Sequence, residues 1–210
     1  MTLFRTNNII NKTILITLLI LGISNIANSK ETSYDYLDVS IIRYDLKSIT
    51  HNSHYDGYLL SASKSMNENV YLLGEYIDLE REGGYGVDFK SLGIGVHYPI
   101  AKNSDIIAKY VHNKYGQTFS SGLLNSSSKG IYNAIELGIR HQFSNDLELN
   151  TELSRYDFTG DSMFYKGISI GAIYKLNNDI SVKLEALRAT GSPSNSADWN
   201  GREVGIRYYF

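Results

Sequence analysis

The eight residues Glu203-Val204-Gly205-Ile206-Arg207-Tyr208-Tyr209-Phe210 alternate between two kinds of side chain. Val204, Ile206, Tyr208 and Phe210 share one face, and Gly205, Arg207 and Tyr209 share the other. A period of two belongs to a β-strand, whose successive side chains point to opposite surfaces. One face is apolar up to the last aromatic, so the strand is expected to sit between an apolar surrounding and a polar one.

Working back from this strand, four similar turn signals divide the chain: Met66-Asn67-Glu68-Asn69, Lys102-Asn103-Ser104-Asp105, Ser144-Asn145-Asp146 and Asn177-Asn178-Asp179. Asn and Asp favour tight turns because their side chains bond the local backbone and tolerate left-handed geometry. Each turn leads at once into an alternating segment. The repeat is strand, loop, strand, short turn. It predicts about ten strands, near Tyr34–Asp45, Tyr55–Ser65, Val70–Leu79, Val87–Tyr98, Asp105–Asn113, Ile131–Gln142, Leu147–Asp157, Tyr165–Leu176, Ile180–Arg188 and Gly201–Phe210. Eight is the alternative count, since Ile41 and Ile42 break the alternation and suggest a bulge. Loops fall near residues 46–54, 80–86, 114–130, 158–164 and 189–200, the third being longest and rich in Ser, Gly and Asn.

The same period assigns the faces. After the turns one face carries Val70, Leu72, Gly74 and Tyr76; Ile106, Ala108 and Tyr110; Leu147, Leu149, Thr151 and Leu153; Ile180, Val182, Leu184 and Ala186. Before the turns it carries Tyr58, Leu60 and Ala62; Leu92, Ile94, Val96 and Tyr98; Ile135, Leu137 and Ile139; Ile168, Ile170, Ala172 and Tyr174. None of these is charged. On a lipid-facing barrel wall an Arg or Lys costs about 2–4 kcal/mol at the bilayer midplane, so this face is compatible with lipid. Tyr98, Tyr174, Tyr208 and Phe210 fall toward the turns, and Tyr58, Tyr76 and Tyr110 toward the loops, as two interfacial girdles would. A soluble β-sandwich also alternates, but it accounts for neither the strand lengths nor the final aromatic. The expected fold is all-β: a transmembrane, antiparallel, up-and-down β-barrel.

Composition agrees. The chain has 17 Tyr and 18 Gly against 2 Pro, a mean hydropathy of −0.23 and no Cys. At the other end, Arg5 and Lys12 flank the apolar run Ile14–Ile23, followed by Ala27-Asn28-Ser29. The run is about half the roughly 20 residues that a spanning helix needs, so residues 1–29 read as a cleaved signal peptide and 30–210 as one barrel domain. Cleavage would remove two positive charges and take the formal net charge from −2 to −4. That leaves no basic footprint for nucleic acid.

The opposite face of the strands carries the candidate interior: Glu75, Lys109, Glu136, Arg140, Glu152, Lys183, Glu185 and Arg207, with Glu148, Asn150, Ser154, Lys175 and Glu203 among small residues. These residues are the possible lining of an ion or solute path. They serve equally as a plug of ion pairs, because an unpaired buried charge is costly and ten strands leave little more room than eight, whose interior side chains just fill. His51, His54 and Asp56 could offer an acid–base pair, although two solvated loop histidines are the simpler reading. His97, His112 and His141 match no metal-ligand spacing. Gly83-Gly84-Tyr85-Gly86 is a hairpin loop rather than a phosphate cradle, as it opens no helix and carries no Lys. Tyr115, Phe119, Leu123, Leu124, Phe164 and Trp199 are placed at loop tips, where aromatics on a rigid wall commonly bind partners.

The Tyr34-to-Val39 opening, Leu73-Gly74-Glu75-Tyr76, the Val87-to-Tyr98 stretch and the terminal Arg207-Tyr208-Tyr209-Phe210 resemble the small, single-domain outer-membrane barrels of the porin-like superfamily. Within it, the chain is similar to exported barrels tied to diffusible-signal regulation and, more distantly, to the eight-stranded OmpX and Ail-type adhesin barrels. The resemblance implies a place in the cell outer membrane of a Gram-negative bacterium, with outer-membrane lipid, lipopolysaccharide and the assembly machinery as partners and Tyr208 and Phe210 as the assembly signal. It brings no catalytic motif and no cofactor. The expected function is non-enzymatic: a surface interaction or adhesion through the loops, or a structural role. A narrow, weakly selective pore is the alternative and a barrel hydrolase the second.

Overall fold

The computed structural model describes residues 33–47, 52–121, 124–160, 163–192 and 197–210. The expected signal peptide, His51 and Leu123 lie outside them. Ten strands follow in order: β1 (Tyr36–Lys47), β2 (Asn52–Ser65), β3 (Val70–Arg81), β4 (Tyr85–Ala101), β5 (Ser104–Ser121), β6 (Leu124–Gln142), β7 (Leu147–Phe158), β8 (Phe164–Lys175), β9 (Ile180–Ser192) and β10 (Asp198–Tyr209). Each pairs antiparallel with its neighbours in sequence. β1 pairs with β10 from Tyr36↔Tyr209 to Lys47↔Asp198 and closes the barrel. Closure leaves no edge along the wall, so backbone groups are satisfied between strands as lipid requires.

Local chemistry explains one end of the barrel. The Asn67 side-chain oxygen accepts from the Asn69 and Val70 amides at 2.9 Å, and Asn177 does the same for Asp179 and Ile180. Ser144 accepts from Asp146 and Leu147 at 3.3 and 3.1 Å. These are the bonds that make Asn and Ser turn residues. At the opposite end, β3 turns into β4 through Gly83 and Gly84 at φ +91° and +83°, a conformation that only glycine adopts without strain. We call the first the turn end and the second the loop end.

Two expectations are corrected. The long loop over 114–130 is instead strand: β5 and β6 pair up to Ser121↔Leu124, beyond the last β6–β7 pair, Tyr132↔Phe158. Pairing across the hairpin has overridden the low strand preference of a Ser-, Gly- and Asn-rich segment. No bulge occurs at Ile41 and Ile42, where the register runs unbroken on both sides. Ile41 faces outward and Ile42 inward, each onto an apolar surrounding. The irregularity lies instead between Pro99 and Ala101 of β4, beside the turn, where a residue lacking an N–H is tolerated.

The outer face is apolar around its middle. Leu92 is 76% exposed, Ile41 71%, Ile170 62% and Leu153 61%. Such side chains in a continuous belt are stable only against lipid or another apolar surface. Tyr98 and Tyr174 are exposed toward the turn end and Tyr110 toward the loop end, while Tyr58 and Tyr76 both reach the Asp78 carboxylate at that second level.

Candidate functional site

All eight candidate interior residues line the inside of the barrel, and they fall into layers. Nearest the turn end, Tyr34 stacks on Tyr71 at 4.5 Å and on His97 at 4.1 Å between ring centroids. The Arg140 guanidinium lies 4.7 Å from the Tyr34 ring and 2.6 Å from Glu148. That contact is electrostatic rather than a directed hydrogen bond. Tyr34, Tyr71, Leu73, Ile107, Val111 and Ala134 form one buried cluster here. A Cβ at Gly95 would fall within the Tyr71 ring, so glycine at that position is what lets the ring lie across the interior.

The middle layer is a set of ion pairs. Asp38, 1% exposed, accepts two hydrogen bonds from Arg207 at 2.7 Å each and one from Ser61 at 3.3 Å. This fork spans the β1–β10 seam. Lys183 lies 2.9 Å from Glu203, 3.3 Å from Glu185 and 3.8 Å from Asp38. Lys109 lies 2.8 Å from Glu136 and 2.6 Å from Glu152. Ser40 donates to Glu203 at 2.7 Å, and Ser91 to Asn113. Bidentate and multiply paired charges of this kind are how a low-dielectric interior holds ions at all.

Glu75 differs. It lines the interior between Ser61 and Ser91 on the neighbouring strands, yet makes no hydrogen bond or ion pair with the described residues. Toward the loop end the walls become aromatic: Tyr44, Tyr55, Phe89, Tyr115, Tyr132, Tyr156, Phe158, Tyr165 and Trp199. Their rings meet mostly at edge and tilted angles, as between Tyr44 and Trp199 at 6.2 Å and between Phe89 and Tyr132 at 6.2 Å, while Tyr132 and Phe158 stack at 5.1 Å. The interior cavity has a volume of about 450 Å³. Side chains at the turn end are almost fully buried, whereas most of these rings are only half-buried, so the free space opens toward the loops.

Several expected site residues are placed elsewhere than sequence reading put them. His54 pairs with Asp45 across β1 and β2 at 2.6 Å and not with Asp56, whose carboxylate is gripped by Arg43 at 2.6 and 3.0 Å. The reason is register: Asp45 faces His54 directly and Arg43 faces Asp56. Both pairs lie on the exposed outer face. Tyr115, Phe119, Phe164 and Trp199 belong to strands, and Tyr115 and Trp199 turn inward. The side chain of Leu124 lies outside the described residues. Sequence reading missed Asp38 and Tyr36, although Tyr36, Asp38 and Ser40 alternate with Leu37, Val39 and Ile41 and could have been assigned inward by period alone.

No protein-family model and no curated protein matches the chain. Among solved structures, the β domain of the Bordetella autotransporter BrkA superposes with a TM-score of 0.52 at 9% identity, covering 85% of this chain and all of that one. Neisserial surface protein A gives 0.49 at 8% identity, over 86% of this chain and all of that one. The translocator domain of the Neisseria meningitidis autotransporter NalP gives 0.48 at 7%, over 98% and 97%. Identity this low speaks to fold alone. The chain has the closed, antiparallel, up-and-down β-barrel fold that it shares with the BrkA β domain.

Proposed function

We propose that this protein is a non-enzymatic outer-membrane barrel whose interior does not conduct and whose activity is a surface interaction carried by the β5–β6 hairpin. The observation that carries this reading is the contrast between an interior crossed by buried ion pairs and a hairpin whose β6 strand continues past β7, while β4 accompanies β5 as far as Phe119. The hairpin rises roughly 26 Å along β6 from Tyr132 to Leu124, at about 3.3 Å per residue. From Asn125 to Gly130 the β6 edge has no strand partner among the described residues, and a free edge is a common way to receive an extended partner segment.

An outer-membrane location is supported by the charges that bound the apolar belt at the loop end. Arg43 faces Arg202, Lys90 faces Lys114, and Arg155 faces Lys166, each directly across the sheet on the outer surface and two residues from a belt residue. Like charges placed opposite one another are unfavourable. Neighbouring carboxylates relieve this in part, Asp56 for Arg43, Asp45 for Arg202, Asp88 for Lys90 and Asp157 for Arg155, which leaves the opposed Lys114 and Lys166. The remaining demand for anions at this level matches the phosphates of lipopolysaccharide.

The test has two arms. In planar bilayers the purified barrel should show no discrete conductance, and steady channels would overturn the closed interior in favour of a narrow pore. Residues 116–129 should then be replaced by a two-residue Asn-Gly turn joining Tyr115 to Gly130, which face each other across the hairpin, so that the register below them is kept. Cells displaying the full chain should attach to a surface or to one another, and cells displaying the trimmed variant should not. Equal attachment by both would reject the hairpin as the carrier.

A further inference from the structure

We propose that the loop-end half of the interior is a binding cup for a small organic cation with an aromatic or branched alkyl body, with Glu75 as the anionic floor and tyrosine rings as the walls. This goes beyond the surface reading and does not depend on it.

The first support is an imbalance of charge. Among the described lining residues there are seven carboxylates, Asp38, Glu75, Glu136, Glu148, Glu152, Glu185 and Glu203, against four cations, Lys109, Arg140, Lys183 and Arg207. Each cation lies within ion-pair distance of at least one of them. Six of the carboxylates are served in this way, two by Lys109, one by Arg140, two by Lys183 and Asp38 chiefly by Arg207. Glu75 alone among them lacks a cation at that distance. A carboxylate held inside a wall without a partner is unfavourable, and a cationic guest would supply what is missing.

The second support is the shape and chemistry above it. Ile77 and Leu79 follow Glu75 on the same inward face of β3, and Tyr44 and Tyr132 line the same cavity. Aromatic faces attract cations, most strongly where water is excluded. The whole interior cavity has a volume of about 450 Å³, so its loop-end part holds a guest no larger than a small molecule, ligand pockets falling at roughly 300–1,000 Å³. Anions are disfavoured by the surplus of carboxylates. A purely apolar guest would leave Glu75 as it is.

The chain carries its own reporter, because Trp199 is the sole tryptophan and lines this cavity. The barrel, folded in a maltoside detergent that bears no ammonium group, is titrated with benzyltrimethylammonium, with its neutral isostere neopentylbenzene and with benzenesulfonate, and Trp199 emission is followed. The cation should give saturable quenching or a spectral shift, and the other two should bind about tenfold or more weakly. Glu75→Gln should weaken the cation by at least that factor and leave the neutral probe unchanged, and Glu75→Asp should retain part of the effect. Should Glu75→Gln fail to fold, the comparison of the three probes on the unaltered protein still decides. Equal binding of the cation and its neutral isostere, no saturable response to the cation, or an unchanged affinity in folded Glu75→Gln would overturn the assignment.

Discussion

The two ends of the interior are built on opposite plans. At the turn end, Tyr34, Tyr71 and His97 stack under Arg140 and Glu148, and Asp38 with Arg207 ties the seam above them; these groups are almost wholly removed from water. At the loop end the rings of Tyr44, Phe89, Tyr115, Tyr132 and Trp199 stand around free space and meet mostly edge to face. One half spends its side chains on filling and pairing. The other leaves them facing a cavity, and that difference separates the part of the wall that maintains the barrel from the part available for binding.

The sharpest way to break this comparison is at the seam. Asp38→Ala removes the carboxylate that Arg207 grips, leaving a buried guanidinium, and breaking such a pair costs about 3–5 kcal/mol. The urea midpoint of the folded band in cold gel migration should fall accordingly, while Asp38→Leu combined with Arg207→Met should recover most of the loss. An unaffected single variant would mean that the middle layer is wetter than its burial implies. Next in size, Tyr71→Ala should cost about 3 kcal/mol, the low end for a buried aromatic. Phe89→Ala at the loop end should cost less than half of that, since its ring is only partly enclosed. Equal costs would erase the distinction between the halves.

Most of the wall was legible in the sequence because its signals are local. A period of two fixes which residues of β3 or β9 face lipid, and Asn67, Ser144 and Asn177 make their turns with bonds two and three residues away. What escaped depends on partners far along the chain. Asp38 acquires its role only when β1 meets β10, 169 residues on. The upper parts of β5 and β6 are strand because they pair with each other, not because Gly116 to Ser128 favour extended structure. The adjacent isoleucines at 41 and 42 read as a defect only if both faces are assumed to differ in polarity at every height. In fact, the interior beside Ile42 is apolar, with Leu59, Leu79 and Val87 in the same cluster. His54 and Asp56 are near neighbours in sequence, and register gave each a different partner.

The smallest effect is expected at the turn end's outermost pair. Burial works against the charged form of Asp35, yet Lys64 at 2.5 Å and the Ser65 amide at 2.6 Å outweigh it and hold the carboxyl below its usual range. A group depressed in the folded state adds stability that is present above its unfolded value, about 3.9, and is lost as pH falls through the folded one. The contribution should stay under about 1 kcal/mol, as for other partly exposed pairs. Asp35→Asn should remove that acid-side slope by lowering stability near pH 7 by up to that amount, with the two proteins converging at low pH, as read from urea midpoints across the range. A variant that keeps the full slope would assign it to other carboxylates.

The central claim is a lipid-facing belt wrapped around an ion-paired interior closed off from lipid, and adjacent residues of β4 test it most directly. The chain contains no cysteine, so Leu92→Cys and Ser91→Cys can each be labelled alone with an environment-sensitive fluorophore after folding into vesicles. Leu92 is 76% exposed on the outer face and Ser91 is 6% exposed within. The label at 92 should react readily and be quenched by brominated lipid, and the site at 91 should react slowly and escape that quenching. Equal quenching at both positions, or none at 92, would contradict the barrel's division into a lipid face and a closed interior.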